Sequence, residues 1–301
     1  MHLVDRPEWK AHDVHIYIKR DDLLHKFVQG NKWRKLKYNL LEAKRLGKKQ
    51  LLTFGGAFSN HIHATAAAGQ MFGLETIGWI RGDKLEEMSP TLVFAQAAGM
   101  ELVYVDRTTY RRRKDADFLT KVAEQYPDAY IIPEGGSNAL ALKGVAEMVT
   151  EINEQMPDRK PMVWCVGVGS GGTMAGMIRT VKDTDVVMGF SSLKGDFVDE
   201  MVAGFLEKEY QNWQIWKDGH LGGFARWKPE LIDFINSFYE STGIPLDPIY
   251  NGKLWYRLND LILDGYFPKG SQIMVIHTGG LQGIDGFRHR FGDELLPNWK
   301  Y

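Results

Sequence analysis

The chain has 301 residues, and its 37 basic and 38 acidic side chains leave a formal net charge of −1. A charge so close to zero gives no electrostatic footprint for nucleic acid or an anionic membrane, and a single cysteine, Cys165, excludes an intramolecular disulfide and favours a reducing compartment. The first ten residues are polar and no apolar run is long enough to span a bilayer, so we expect a cytoplasmic protein with one large domain or two modest ones.

Strand and helix patterns alternate along the chain. Alternating apolar residues predict a strand over 14–18, and from Trp33 the spacing becomes helical, with Gly47 where a helix-ending glycine belongs. Ser89 followed by Pro90 predicts the start of another helix. Further strands are predicted at 50–54, 76–80, 101–105, 130–132 and 162–168, a long helix at 138–156, and strand and helix pairs at 186–205 and 272–290. This alternation predicts an α/β fold with crossover helices and mainly parallel sheets.

Lys32 is the first residue that could carry chemistry. It follows Gly30 and Asn31 at a predicted strand-to-helix junction, where a glycine permits close approach of the backbone. An amine must lose its proton before it attacks a carbonyl, and burial beside cations such as Arg34 and Lys35 lowers the pKa of a lysine. Lys32 is therefore a candidate Schiff-base lysine. From this segment alone, a solvated lysine at a helix start is the alternative.

The glycine-rich stretch 166–173 is the second candidate segment, because it follows a buried strand and opens a helix. Its backbone amides can approach a phosphate closely, and the hydroxyls of Ser170 and Thr173 add donors. Gly167, Gly169 and Gly172 also fit the dinucleotide pattern G-x-G-x-x-G, but the acidic residue expected about 20 residues later is missing. A monophosphate is therefore the favoured ligand, and a plain tight turn is the alternative.

The third candidate segment is the glycine-led turn 55–61, which also enters a helix. Ser59 and Asn60 offer short polar groups beside free backbone amides, and such a turn suits a carboxylate or a phenolate oxygen. The alternative is a plain helix N-cap.

Together these segments resemble the family of 1-aminocyclopropane-1-carboxylate deaminases and D-cysteine desulfhydrases, within the tryptophan-synthase-β-like class (fold type II) of pyridoxal-phosphate enzymes. Motifs agree with the family in order and spacing over nearly the whole chain. They are Lys19-Arg20-Asp21-Asp22-Leu23 with Gly30-Asn31-Lys32 and Arg34-Lys35-Leu36, Gly55-Gly56 with Ser59-Asn60-His61, the loop 169–173, and Leu246-Asp247-Pro248-Ile249-Tyr250 with Gly252-Lys253. Each motif is modest alone, but their joint occurrence is specific.

The resemblance implies a two-lobed α/β fold with mainly parallel sheets and pyridoxal phosphate between the lobes. It implies that Lys32 forms a Schiff base with the cofactor and that Asn60 binds the phenolic oxygen. Ser59, Asn60 and His61 are implied to receive the substrate carboxylate, and Tyr250 to lie against the pyridine ring as an acid, base or nucleophile. The implied phosphate site comprises Lys35, Gly169, Ser170, Gly171, Gly172 and Thr173.

Two positions bear on the choice between the family's activities. In the deaminases that open the cyclopropane ring, the residue after the tyrosine is an acid that pairs with the pyridine nitrogen, whereas here it is the neutral Asn251. In the desulfhydrase-like members a threonine occupies the His-Thr-Gly-Gly turn, as Thr278 does here, so we expect Thr278 to face the ring nitrogen. A hydroxyl supports less negative charge in the ring than a carboxylate does, and β-elimination tolerates this because the leaving group takes the electrons away.

We therefore predict that a small amino acid such as D-cysteine is converted to a keto acid and ammonia by β-elimination, with ring opening of 1-aminocyclopropane-1-carboxylate as the alternative. The aromatic segment 213–227 departs from the family pattern, which leaves the substrate preference open. A nicotinamide oxidoreductase and a non-catalytic amino-acid binder are the more distant hypotheses.

Domain boundaries and assembly are also expectations from the resemblance. It implies a large cofactor-binding domain of residues 1–36 and 141–301, a small inserted α/β domain of residues 37–140, and a homodimer. No metal is expected, because His61 and His63 are poorly spaced for a shared ion and Cys165 has no second thiol.

Overall fold

The computed structural model of the protein describes residues 1–84, 86–297 and 299. The strands are β1 His2–Val4, β2 His15–Arg20, β3 Gln50–Gly55, β4 Glu75–Arg81, β5 Met100–Val105, β6 Ala129–Ile132, β7 Met162–Val168, β8 Val186–Ser191, β9 Trp213–Trp216 and β10 Gln272–His277. The helices are α1 Gly30–Arg45, α2 Asn60–Phe72, α3 Pro90–Ala97, α4 Arg107–Arg111, α5 Ala116–Gln125, α6 Ala139–Gln155, α7 Gly172–Ile178, α8 Phe197–Ala203, α9 Pro229–Thr242, α10 Asn251–Leu263 and α11 Gln282–Phe291.

The larger sheet has the strand order β1-β2-β10-β7-β8-β9. Its pairs are parallel except at the edge, where β1 runs antiparallel to β2. The central strands are apolar along nearly their whole length, because helices cover both faces of a parallel sheet. This topology brings the carboxyl ends of β2, β7 and β10 to one edge, which is where ligands of open α/β sheets bind.

The smaller sheet is entirely parallel, with the order β5-β4-β3-β6. Its strands fall within residues 50–132, whereas those of the larger sheet fall within 2–20 and 162–277. The domain division predicted from the sequence stays a prediction.

Short polar side chains and glycines set the ends of several helices. Ser59 and Ser89 accept hydrogen bonds from the backbone amides of residues 62 and 92, and Asn138 accepts one from residue 141. At the other end of α2, Gly73 takes the left-handed conformation (φ +66°) that closes a helix. The helix start at Ser89-Pro90 and the left-handed Gly47 (φ +66°) just after α1 confirm the sequence predictions.

Helices α1 and α6 cross in backbone contact. A Cβ added to Gly144 on α6 would lie 1.9 Å from the carbonyl oxygen of Arg34 on α1. The guanidinium of Arg34 is buried and pairs with Asp21 at 2.9 Å and with Glu151, so that ion pairs reinforce the crossing. The start of α1, where Lys32 lies, is thereby held in a fixed place.

The alternating pattern predicted from the sequence is confirmed over most of the chain. The pattern did not indicate β1, β9, α5, α9 and α10. After β5, helix α4 ends at Arg111, and Arg113 beyond it forms an ion pair with Glu134 at 2.6 Å. Among the described residues, no helix has the length and apolar character needed to cross a membrane.

Candidate active site

The start of α1 lies against the turn that follows β10. Gly30 has φ +54°, and a Cβ there would lie 2.0 Å from the carbonyl oxygen of Thr278. The amide of Asn31 donates to that same oxygen at 3.2 Å. Only glycine allows this approach. Lys32 follows Gly30 by two positions and is therefore held beside the turn 277–280.

The amine of Lys32 is half-buried, and the residues that the structure describes leave it unpaired. Among the described residues it has no hydrogen-bond or ion-pair partner. Burial lowers its pKa to about 8, because a desolvated ammonium is disfavoured. Roughly a tenth of this amine is therefore unprotonated at pH 7, far more than for an ordinary lysine, and attack on a carbonyl requires the unprotonated form.

A polar cup lies one helical turn along α1, around Lys35. The Lys35 amine is 1% exposed and donates to the carbonyl oxygen of Gly135 at 3.2 Å, to Ser137 Oγ at 2.9 Å and to Ser170 Oγ at 3.2 Å. Burial and the nearby charge of Lys32 hold the pKa of Lys35 well below its ordinary value. A buried amine surrounded only by neutral oxygens lacks a counter-ion for its charged form, and a bound anion would supply it.

The glycine loop after β7 forms the wall of this cup. Gly171 has φ +79° and caps α7, and a Cβ on Gly172 would lie 2.7 Å from Ser137 Oγ. Asn31 Nδ2 donates to Thr173 Oγ1 at 3.0 Å, which ties the loop to the start of α1. The cup offers an ammonium, hydroxyls and backbone amides, and these donors fit the phosphate of pyridoxal phosphate.

Tyr250 closes the opposite side of the glycine loop. The Asp247 carboxylate fixes its position by accepting the backbone amide of Tyr250 at 2.8 Å. A Cβ on Gly169 would lie 2.9 Å from the Tyr250 ring, so the glycine makes room for it. Burial, followed by the charges of Asp247 and Glu134, raises the pKa of Tyr250. The phenol is therefore neutral and keeps its hydrogen for a hydrogen bond.

Asn251 and Thr278 form one hydrogen-bonded unit. Asn251 Nδ2 donates to Asp247 Oδ2 at 2.6 Å and to the carbonyl oxygen of Gly279 at 2.9 Å, so both amide hydrogens are used. Asn251 Oδ1 accepts the amide of Thr278 at 3.2 Å and lies 3.4 Å from its hydroxyl. Asn251 thus holds the turn. The contact of the Thr278 hydroxyl, at 3.4 Å, is the longest in this unit.

The turn before α2 supplies donors facing the same cleft. Asn60 and His61 are the first residues of α2, so their amides lack intrahelical acceptors. Ser59 Oγ accepts the amide of Ile62 and keeps its own hydrogen for another partner. A Cβ on Gly280 would lie 2.5 Å from Asn60 Nδ2, which shows that this turn meets the turn after β10.

The aromatic side chains of the segment 213–227 lie in different places. Within the aromatic segment 213–227, the Phe224 ring lies 6.0 Å from Tyr250, whereas Trp216 packs on Tyr266 and Trp227 on Phe287. In the part of the chain that the structure describes, no group of three His, Cys, Asp or Glu side chains is arranged to hold a metal ion.

Sequence reasoning missed Thr53, Glu134 and Ser137. Ser137 belongs to the Lys35 cup, and Glu134 accepts the Tyr110 hydroxyl at 2.7 Å. For Glu134 and Ser137 the sequence offered a signal, because the two glycines between them, Gly135 and Gly136, follow a parallel strand. Adjacent glycines there indicate that another part of the chain or a ligand approaches the backbone closely.

Comparison with known proteins identifies the family. The model of the family described as "Pyridoxal-phosphate dependent enzyme" matches residues 2–279. The chain is 31% identical to the bifunctional D-cysteine desulfhydrase/1-aminocyclopropane-1-carboxylate deaminase of Arabidopsis thaliana, over 94% of this chain and 76% of that protein. It is 29% identical to the D-cysteine desulfhydrase of Klebsiella pneumoniae, over 89% and 88% of the two chains.

A solved structure described as the ACC deaminase homologue superposes with a TM-score of 0.79 at 29% identity, covering 96% of this chain and 90% of that one. The predicted α/β fold and the predicted cofactor, pyridoxal phosphate, are thereby confirmed. The chain belongs to the family of pyridoxal-phosphate-dependent enzymes that includes the 1-aminocyclopropane-1-carboxylate deaminases and D-cysteine desulfhydrases.

Proposed function

We propose that the protein is a lyase that converts a small amino acid resembling D-cysteine to a keto acid and ammonia by β-elimination. The observation that carries this proposal is the engagement of Asn251. Its side chain is neutral, and both of its amide hydrogens are used by Asp247 and Gly279. No carboxylate stands where the ring-opening members of the family are expected to have one, and the Thr278 hydroxyl is the group left to face the pyridine nitrogen.

The cleft residues divide into cofactor and substrate groups in this proposal. Lys32 attaches the cofactor, Asn60 binds its phenolic oxygen, and the Lys35 cup together with the loop 169–173 holds its phosphate. The hydroxyl of Ser59 and the amides of Asn60 and His61 receive the substrate carboxylate. The free donors at the start of α2 support this assignment, because a helix N-terminus favours an anion.

Pyridoxal phosphate, when bound, supplies the electron sink that makes the Cα proton of an amino acid acidic. The chain's own groups then move the protons. The Lys32 amine, with a pKa lowered to about 8, accepts the Cα proton. The Tyr250 phenol, neutral because burial raises its pKa, donates a hydrogen bond to the departing β-substituent. Loss of the substituent and hydrolysis of the product release a keto acid and ammonia.

The second candidate is ring opening of 1-aminocyclopropane-1-carboxylate. The name of the Arabidopsis relative, which includes both activities, favours keeping it. The raised pKa of Tyr250 weighs against it, because a protonated phenol is a poor nucleophile for the ring.

An assay of purified protein loaded with pyridoxal phosphate separates the two. D-cysteine, L-cysteine and 1-aminocyclopropane-1-carboxylate are each supplied, and sulfide, ammonia and keto acid are measured. We expect sulfide and pyruvate from D-cysteine, and neither from the Lys32→Ala variant. Release of 2-oxobutyrate from the cyclopropane substrate without sulfide from D-cysteine would reverse the assignment.

We also propose a cytoplasmic homodimer with the two-domain division stated above. The single buried cysteine and the near-zero net charge support the cytoplasm. Family resemblance supports the dimer and the domain boundaries, and sedimentation of the purified protein tests the dimer.

A further inference from the structure

A short turn within the aromatic segment 213–227 has a strained backbone. Four of its residues have positive φ angles, between +52° and +119°: Leu221, Gly222, Gly223 and Ala225. Glycine adopts such angles freely, whereas leucine and alanine adopt them only at a cost in free energy. Strain of this kind persists where surrounding contacts impose it, and it is concentrated at functional sites. Residues 220–225, called the strained turn below, therefore need contacts from elsewhere in the chain.

The amine of Lys253 on α10 supplies such contacts. Lys253 is 2% exposed and donates to the carbonyl oxygens of His220 and Gly223, each at 2.8 Å. These two carbonyl groups lie on either side of the positive φ angles of Leu221 and Gly222. Burial lowers the pKa of Lys253 to about 8, so most of the amine is an ammonium at pH 7, and an ionised donor makes a stronger hydrogen bond than a neutral one. Lys253 therefore clamps the strained turn.

The strained turn carries Phe224 to the ring of Tyr250. The two ring centroids lie 6.0 Å apart, with 58° between the ring planes. Phe224 is 50% exposed, so the backbone of its turn, more than burial of its own ring, decides where it stands. The Tyr250 hydroxyl has no hydrogen-bond partner in the part of the chain that the structure describes. Packing contacts, including those with Phe224 and Gly169, therefore set the direction of the phenol.

Arg257 lies one helical turn beyond Lys253 and contacts the same segment differently. Its guanidinium pairs with the exposed carboxylate of Asp218 at 2.9 Å and lies 4.9 Å from the centre of the Trp216 ring. Both partners precede the strained turn, and an exposed ion pair contributes little to stability. Arg257 thus tethers the segment without reaching the strained turn, which makes it the matched control for Lys253.

We propose that Lys253 is a positioning residue for Tyr250: its amine imposes the backbone of the strained turn, and the turn holds Phe224 against the phenol ring. Tyr250 immediately precedes α10 and Lys253 lies in its first turn, so one short stretch of chain supplies both the phenol and the clamp. The effect on turnover rests on the proposed function, in which the phenol donates a hydrogen bond to the departing β-substituent. The clamp itself is independent of that function.

NMR of the full chain without cofactor, with ¹³C-labelled tyrosine rings, tests the clamp apart from any reaction. Tyr250→Phe assigns the signal, and Phe224→Leu shows how it moves when the neighbouring aromatic ring is lost. We expect Lys253→Met to move the signal in the same direction and Arg257→Met to leave it in place. A Tyr250 signal that stays unmoved in Lys253→Met or in Phe224→Leu, or that Arg257→Met moves equally, would overturn the proposal.

Gly223→Ala perturbs the strained turn while keeping the lysine, so it decides the question if Lys253→Met does not fold. The added Cβ has room, because its nearest neighbour is Lys194 Cβ at 3.5 Å, but alanine rarely adopts a φ of +119°. We expect Gly223→Ala to move the Tyr250 signal as Lys253→Met does. Gly73→Ala, at φ +66° in open space at the end of α2, should not move it. Equal signals in these two glycine variants would also contradict the clamp.

The loaded enzyme tests the consequence for turnover. Lys253→Met and Phe224→Leu should each lower kcat for sulfide release from D-cysteine about three- to tenfold with KM little changed, because the phenol loses its alignment. The double variant should be no slower than the slower single variant, since both changes act through one contact. Additive losses would show that Lys253 acts by another route and would refute its role. If the NMR shifts appear but D-cysteine yields no sulfide, the proposed substrate fails while the clamp stands.

Discussion

Replacing Lys35 by methionine should affect the stability of the cofactor-free protein and its affinity for cofactor in opposite directions. In the cofactor-free protein, the Lys35 amine is buried among neutral oxygens, and burial holds its pKa well below the ordinary value. Its removal leaves Ser137 and Ser170 able to bond each other, since their Oγ atoms already lie 2.8 Å apart. Methionine fills a similar volume without a buried charge, so the cofactor-free variant should unfold at the same temperature as the wild type or a higher one.

The affinity for cofactor should fall, because a hydrogen bond to a charged partner contributes about 1.5–3 kcal/mol. At about 1.4 kcal/mol for each factor of ten, pyridoxal phosphate should bind roughly 10- to 100-fold more weakly. Pyridoxal, which lacks the phosphate, is the matched ligand, and its affinity should be unchanged within about twofold. Titration followed by visible absorbance measures both affinities, and thermal unfolding measures stability. An equal loss for both ligands, or a clear fall in the unfolding temperature without cofactor, would refute the assignment of Lys35 to the phosphate.

Three further expectations follow from the geometry. Gly30→Ala should lower the free energy of unfolding in urea by more than about 2 kcal/mol, because the added Cβ would collide with the backbone of Thr278. Gly47 also has a positive φ (+66°) but lies in open space, so Gly47→Ala is the control and should lower that free energy by only about 1 kcal/mol. Thr278→Val should reduce sulfide release from D-cysteine about five- to tenfold and Thr278→Ser should restore it; equal rates in all three proteins would remove the hydroxyl from the reaction. Burial lowers the pKa of Lys253 to about 8 from 10.5, so the unfolded chain binds more protons between these values and stability rises with pH there. Urea unfolding should show a steeper rise in wild type than in Lys253→Met, and equal slopes would contradict the shift.

The sequence predicted the local parts of the site better than their surroundings. Lys32 lies in the first turn of α1 and the loop 169–173 joins β7 to α7, and in both places glycines and short polar residues indicate the local backbone conformation. The partners of these groups come from distant parts of the chain, as Ser137 does for Lys35 and Thr53 does for His61. Threonine is common in β-strands, so Thr53 in the sequence indicates only a strand. Nothing near it in the sequence indicates its hydrogen bond to His61, eight residues later.

Short or irregular elements were missed for a related reason. The strand β1 has three residues and pairs only at one edge, so its stability comes from β2 and not from its own pattern. The hydrogen bonds of the Asn251 side chain likewise depend on Asp247 and on Gly279, in a turn 28 residues away. Resemblance to a family located these residues, but only the three-dimensional contacts show which atoms are occupied.

The close backbone contacts around α1 have a consequence for how such an enzyme can diversify. Gly30 touches the turn at Thr278, and Gly144 touches the backbone at Arg34. The Lys32 amine is thus located by main-chain contacts, which side-chain substitutions elsewhere leave in place. A change of side chain in the 213–227 segment, for example at Phe224 beside Tyr250, would leave these main-chain contacts of Lys32 unaltered. New substrates can therefore be acquired on one wall of the cleft without rebuilding the reactive centre.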